Sequence, residues 1–82
     1  MTLEAFALLC KPNGPIRIIV WNDDMHEYIT LYEFHYCDGN SFLDKVIKKR
    51  IRYMIVNNIS VDYDTEDMDV PAALSIEVKA FN

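Results

Sequence analysis

The residues able to do chemistry are few and lie apart. Two histidines, His26 and His35, and two cysteines, Cys10 and Cys37, are the candidates for soft-metal ligation or nucleophilic catalysis. Zinc sites draw their ligands from short paired spacings, and His35-x-Cys37 is the one close pair. The same two residues would share a side of a strand, yet a thiol nucleophile also needs an oxyanion donor, and no residue pattern supplies one. The acidic run Asp62, Asp64, Glu66, Asp67, Asp69 has the rhythm of a calcium loop. It departs where such a loop is specific, with Asp67 in place of Gly at the sixth position and Ala73 in place of Glu at the twelfth. We therefore expect no metal, no cofactor and no catalysis; the chain reads as a binder.

Charge layout names two surfaces that could bind. The formal charge is −5, but residues 1–40 carry −4, residues 41–58 carry +4 and residues 59–82 carry −5. An acidic body with one basic stripe favours a basic partner. The expected docking surface is the acidic run Asp62, Asp64, Glu66, Asp67 and Asp69, joined by the aromatic residues Tyr32, Phe34 and Tyr36. The alternative is a phosphate-tracking row of Lys45, Lys48, Lys49 and Arg52 in a small nucleic-acid-binding regulator. Net acidity weighs against direct nucleic-acid binding.

These residues must be positioned by a single small α+β domain spanning 1–82. Thr2 can cap a short helix over Leu3 to Cys10, with Leu3, Phe6 and Leu9 or Cys10 on its inner side. Lys11-Pro12-Asn13-Gly14-Pro15 ends it in a firm turn. Ile16 to Trp21 is β-branched and apolar on both faces, the pattern of an inner strand. After Asn22-Asp23-Asp24 the chain returns over Glu27 to Tyr36, with Tyr28, Thr30, Tyr32, Phe34 and Tyr36 on one face. Two further alternating segments, Ile59 to Asp64 and Leu74 to Phe81, read as half-buried antiparallel strands around the acidic loop. The economical packing is an antiparallel sheet of about four strands with helix on one face.

The covering helix is expected over Ser41 to Ile55. Ser41 with Asp44 three residues on makes a capping box, and Asn57-Asn58 a left-handed stop. At 100° per residue Leu43, Val46, Ile47, Ile51 and Met54 form an apolar stripe, opposite Asp44, Lys45, Lys48, Lys49 and Arg52. Arg50 projects inside that stripe, where a charge is costly. It either snorkels past the sheet edge or pairs with a strand carboxylate such as Asp62 or Glu33, and Arg50→Ala is then expected to destabilise more than Lys49→Ala.

The opening MTLEAFALLC lacks the basic start of a signal peptide, and no apolar run approaches the ~20 residues of a membrane span. A cytoplasmic location and free thiols are expected. Exposed edge strands would also permit a homodimer by sheet extension.

Taken together, Met1-Thr2-Leu3 with Phe6 and Leu9, the strand after the Pro12-Asn13-Gly14 turn, Ile59-Ser60-Val61 and the closing Leu74-Ser75-Ile76-Glu77-Val78 resemble short proteins of phages and mobile elements of Gram-positive bacteria. Some such proteins are anti-defence inhibitors, including anti-CRISPR proteins that occupy surfaces of an RNA-guided nuclease. The resemblance implies an inhibitor of a host defence or nucleic-acid-processing protein, acting in the bacterial cytoplasm. It marks no individual residue.

Overall fold

A computed structural model describes residues 1–62 and 73–79, with Asp62 described by its backbone alone. The elements run α1 (Leu3–Leu9), β1 (Gly14–Asn22), β2 (Glu27–Cys37), α2 (Ser41–Val46), a 3-10 turn (Arg50–Tyr53), β3 (Ile55–Asp62) and β4 (Ala73–Lys79). Four strands make one sheet in the order β2-β1-β4-β3. The α+β architecture stands as expected, but the sheet is mixed: β1 and β4 pair in parallel, while β1–β2 and β3–β4 are antiparallel. The reason is the crossover. The α2 segment carries the chain over the sheet face to the far edge, so β3 runs parallel to β2. The β3–β4 hairpin then folds inward and sets β4 beside β1.

One sheet face is covered. Ile16 and Ile18 of β1 with Ile76 and Val78 of β4 meet Leu3, Phe6 and Ala7 of α1, Phe42 and Val46 of α2, and Ile51 of the 3-10 turn. Thr2 caps α1 as its sequence suggests, its hydroxyl accepting from the Ala5 amide at 3.1 Å. Leu9 and Cys10, expected inside, are exposed, and Ala7 takes the inner position.

The helix expected over Ser41 to Ile55 stops at Val46. A continuous helix would stack Lys45, Lys48, Lys49 and Arg52 as like charges three and four residues apart, each pair costing a few tenths of a kcal/mol. It would also bury Arg50. Instead Lys49 is extended (φ −123°, ψ 153°), which swings Arg50 into solvent and delivers Ile51 to the core. Arg50 is therefore exposed, outside the apolar surroundings its stripe position implied; among the described residues no carboxylate, Glu33 included, pairs with it, and the side chain of Asp62 lies outside them. The Arg52 guanidinium donates to the Ile47 carbonyl at 3.0 Å, meeting one of the acceptors that a helix end leaves open.

The other corrections follow from this break. Ile47 is exposed, and Phe42, which lies outside the projected stripe, is fully buried, as is Val46. Asn40, not Ser41, occupies the N-cap position, and no side chain caps the helix. Ser41 instead closes the preceding turn, its hydroxyl accepting from the Asp38 amide at 2.6 Å. Asn57 and Asn58 lie inside β3 at an irregularity between Val56 and Asn58, because Ile55 and Val56 have joined the sheet.

Candidate functional site at the open sheet face

The opposite face of the sheet has no described helix on it. A register shift decides what stands there: Ile18 pairs with Tyr32 but Ile19 with Thr30, so Leu31 is an extra residue in β2. The single aromatic face expected for β2 is thereby divided. Tyr32 and Phe34 lie on the helix side with Ile16 and Ile18, whereas Tyr28 and Thr30 lie on the open side with Ile19 and Trp21.

Each half has a distinct environment. On the helix side, Tyr32 and Phe34 are parallel with centroids 6.3 Å apart, and Phe34 packs edge-on to Phe42 at 6.2 Å. Lys49 Nζ stands 4.7 Å from the Tyr32 centroid and Lys45 Nζ 5.6 Å from that of Phe34. Lys45 also donates to the Tyr36 carbonyl at 3.0 Å. Sequence neighbours made this aromatic segment look acidic; the α2 segment lays lysines on it. The two binding surfaces proposed from sequence thus converge in part, with lysine ammonium groups on the rings of Tyr32 and Phe34.

The cations form a continuous strip. Lys45, Lys48, Lys49, Arg50 and Arg52 follow α2 and the 3-10 turn, and among the described residues none pairs with a carboxylate. Arg52 lies over Tyr53, 4.5 Å from its centroid, and donates to its hydroxyl. That hydrogen bond first, and the charge of Glu4 last and least, push the Arg52 pKa up. Cys37 is buried beneath Lys45, whose ammonium lies 3.9 Å from its sulfur. Burial pushes the Cys37 thiol up, only partly offset by Lys45 and Ser41.

On the open side, the β1–β2 hairpin presents a built tip. Trp21 and Tyr28 face each other across the strands, edge to face, with centroids 5.0 Å apart. Trp21 Nε1 donates to Asp23 at 2.6 Å. The Asn22 side chain accepts from the Met25 amide at 3.0 Å, and His26 takes a left-handed conformation (φ 54°), closing the turn. Trp21, Met25 and Tyr28 remain 44%, 60% and 53% exposed, among the carboxylates of Asp23, Asp24 and Glu27. The acidic-aromatic surface expected at 62–69 with Tyr32, Phe34 and Tyr36 is a different one; the sequence signal for this tip is three carboxylates and a tryptophan around a turn.

Behind the tip the open face dips into a hollow of about 290 Å³ edged by Arg17, Ile19, Tyr28, Thr30, Asn58, Ser60 and Glu77. Glu77, on the inner strand β4, is only 9% exposed and accepts from Asn57 Nδ2 at 2.6 Å. Hydrogen bonding to the Glu77 carboxylate, with desolvation and its charge, pushes the Tyr28 phenol above its ordinary value. Arg17 reaches Glu33 at 3.8 Å, a partly solvated pair worth little to stability.

Of the acidic run, Asp64, Glu66, Asp67 and Asp69 lie outside the described residues, and Asp62 is seen only as the backbone partner of Ala73. Tyr36 is exposed. No group of three or more His, Cys, Asp or Glu suited to a metal occurs among the described residues, and no helix among them is long and apolar enough to cross a membrane. Compared with protein-family models, with curated proteins and with solved structures, the chain matches none.

Proposed function

We propose that the protein is a non-catalytic interaction protein that docks on a basic surface of a nucleic-acid-processing partner, such as an RNA-guided nuclease, and inhibits it. The observation that carries the reading is the Trp21–Tyr28 pair, with the Trp21 indole held by Asp23 and with Asp23, Asp24 and Glu27 near it in the hairpin. Exposed aromatics that are already fixed lose little freedom on binding, and Trp and Tyr dominate interface energetics. The carboxylates steer the encounter and select a basic partner. The hairpin tip offers the same acidic and aromatic chemistry that the 62–69 run suggests, within the described residues.

The test titrates cleavage by an RNA-guided nuclease of a Gram-positive host with the protein. Wild type is expected to inhibit, Trp21→Ala to weaken inhibition roughly tenfold or more as an interface anchor does, and added salt to weaken it steeply. Cleavage untouched by excess wild type counts against the reading.

A second reading is favoured by the strip Lys45, Lys48, Lys49, Arg50 and Arg52: a regulator that holds the phosphate backbone of single-stranded nucleic acid. Fluorescence anisotropy with an oligothymidylate at low salt tests it. An unchanged signal removes it.

A further inference from the structure

The two edges of the sheet are protected very differently. On β2 the edge is kinked at Leu31, carries Glu27 and Glu33, and has the Tyr36 carbonyl already taken by Lys45. On β3 the first residues are covered by the chain start: Leu3 donates to the Met54 carbonyl at 2.8 Å and Val56 to the Met1 carbonyl at 2.9 Å. Beyond them Asn57-Asn58-Ile59-Ser60-Val61 runs along the edge with no charge, no proline and no glycine, and Asp62 is its first charged residue. Edge strands that avoid aggregation usually carry such devices. From Asn58 to Val61 the β3 edge carries none of them, its one irregularity lying just before, between Val56 and Asn58.

The same stretch is apolar where it should be covered. Ile59 and Val61 face the helix side, opposite Ile76 and Leu74, yet are 42% and 48% exposed. Ile59 also borders a groove of about 450 Å³ shared with Phe6, Cys10 and Leu74.

We propose that β3 pairs antiparallel with β3 of a second copy of this chain, joining two four-stranded sheets into one of eight strands. A two-fold edge pairing sets residues of the same face opposite each other, which restricts the register. With Ser60 on the two-fold axis, Ile59 stands opposite Val61 of the second copy, twice over, on the helix side. On the open side Ser60 meets Ser60, and Asn58 stands across from the backbone of Asp62. Apolar residues meet apolar residues, polar meet polar, and no like charges are opposed. This self-complementarity singles out a second copy as the occupant.

Sedimentation velocity at tens of micromolar should give twice the 9.6 kDa chain mass. Val61→Lys should give the single-chain mass with an unchanged circular dichroism spectrum, since Val61 is half exposed. The register is read by cysteine pairing: in a Cys10→Ser background, Ser60→Cys should oxidise to a covalent dimer and Asn58→Cys should not, because two axial residues lie within disulfide reach. A wild-type chain that sediments as a monomer, or a folded Val61→Lys variant that stays dimeric, overturns the proposal. So does cross-linking through position 58 in place of 60, because Ile59 and Val61 are then no longer opposed.

Discussion

Lys49 Nζ stands 4.7 Å above the ring of Tyr32, while its neighbour Arg50 points into solvent. Helical projection ranks these two residues the other way round. A cation on an aromatic face contributes about 0.5–1 kcal/mol at a partly exposed site, and an exposed residue free of such contacts usually contributes less than about 0.5 kcal/mol. Urea denaturation should therefore show Lys49→Ala more destabilising than Arg50→Ala. The reverse order would restore the continuous helix.

Phe42 is the anchor of the helix layer. It is fully buried and meets Phe6 and Phe34 edge-on. Phe42→Ala should cost about 3–5 kcal/mol, a large share of the stability of a domain this size, and Ile47→Ala much less because Ile47 is already exposed. Paired thermal melts check the contrast.

The two thiols should differ sharply toward a thiol reagent. Cys10 is exposed; Cys37 is fully buried and its thiol is pushed up. One equivalent should react quickly in the native protein and the second only on unfolding. Lys45→Ala should make Cys37 still harder to ionise, since Lys45 favours the thiolate. Two fast equivalents would contradict the buried placement.

Tyr28 supplies a signature at alkaline pH. Its phenol is raised above the ordinary value of 10.0 chiefly by its hydrogen bond to Glu77. A raised folded-state value favours the neutral phenol, so the stability it adds is complete below pH 10 and is lost as pH climbs through the folded value. Ultraviolet titration should show Tyr28, identified by its loss in Tyr28→Phe, ionising above pH 10, and Glu77→Gln should lower its midpoint.

Local chemistry determined a good deal of this protein from sequence alone. Thr2 before an apolar turn gives a capped helix, that helix ends ahead of Pro12, and the β-branched run Ile16 to Val20 gives an inner strand, because each outcome depends on neighbours in the chain. The α+β class follows from the same patterns. Tertiary structure decided what rests on competition between distant groups. Residues 41–55 have helical spacing throughout, but Ile55 and Val56 are bound by Val78, Lys79 and Met1, and that pairing pulls the segment out of the helix. The extra residue at Leu31 turns half of an aromatic face over, a one-residue event that period-two alternation cannot show. It sends Tyr32 and Phe34 under lysines and leaves Tyr28 beside Trp21 on the open face, so the placement of the candidate site was settled by register.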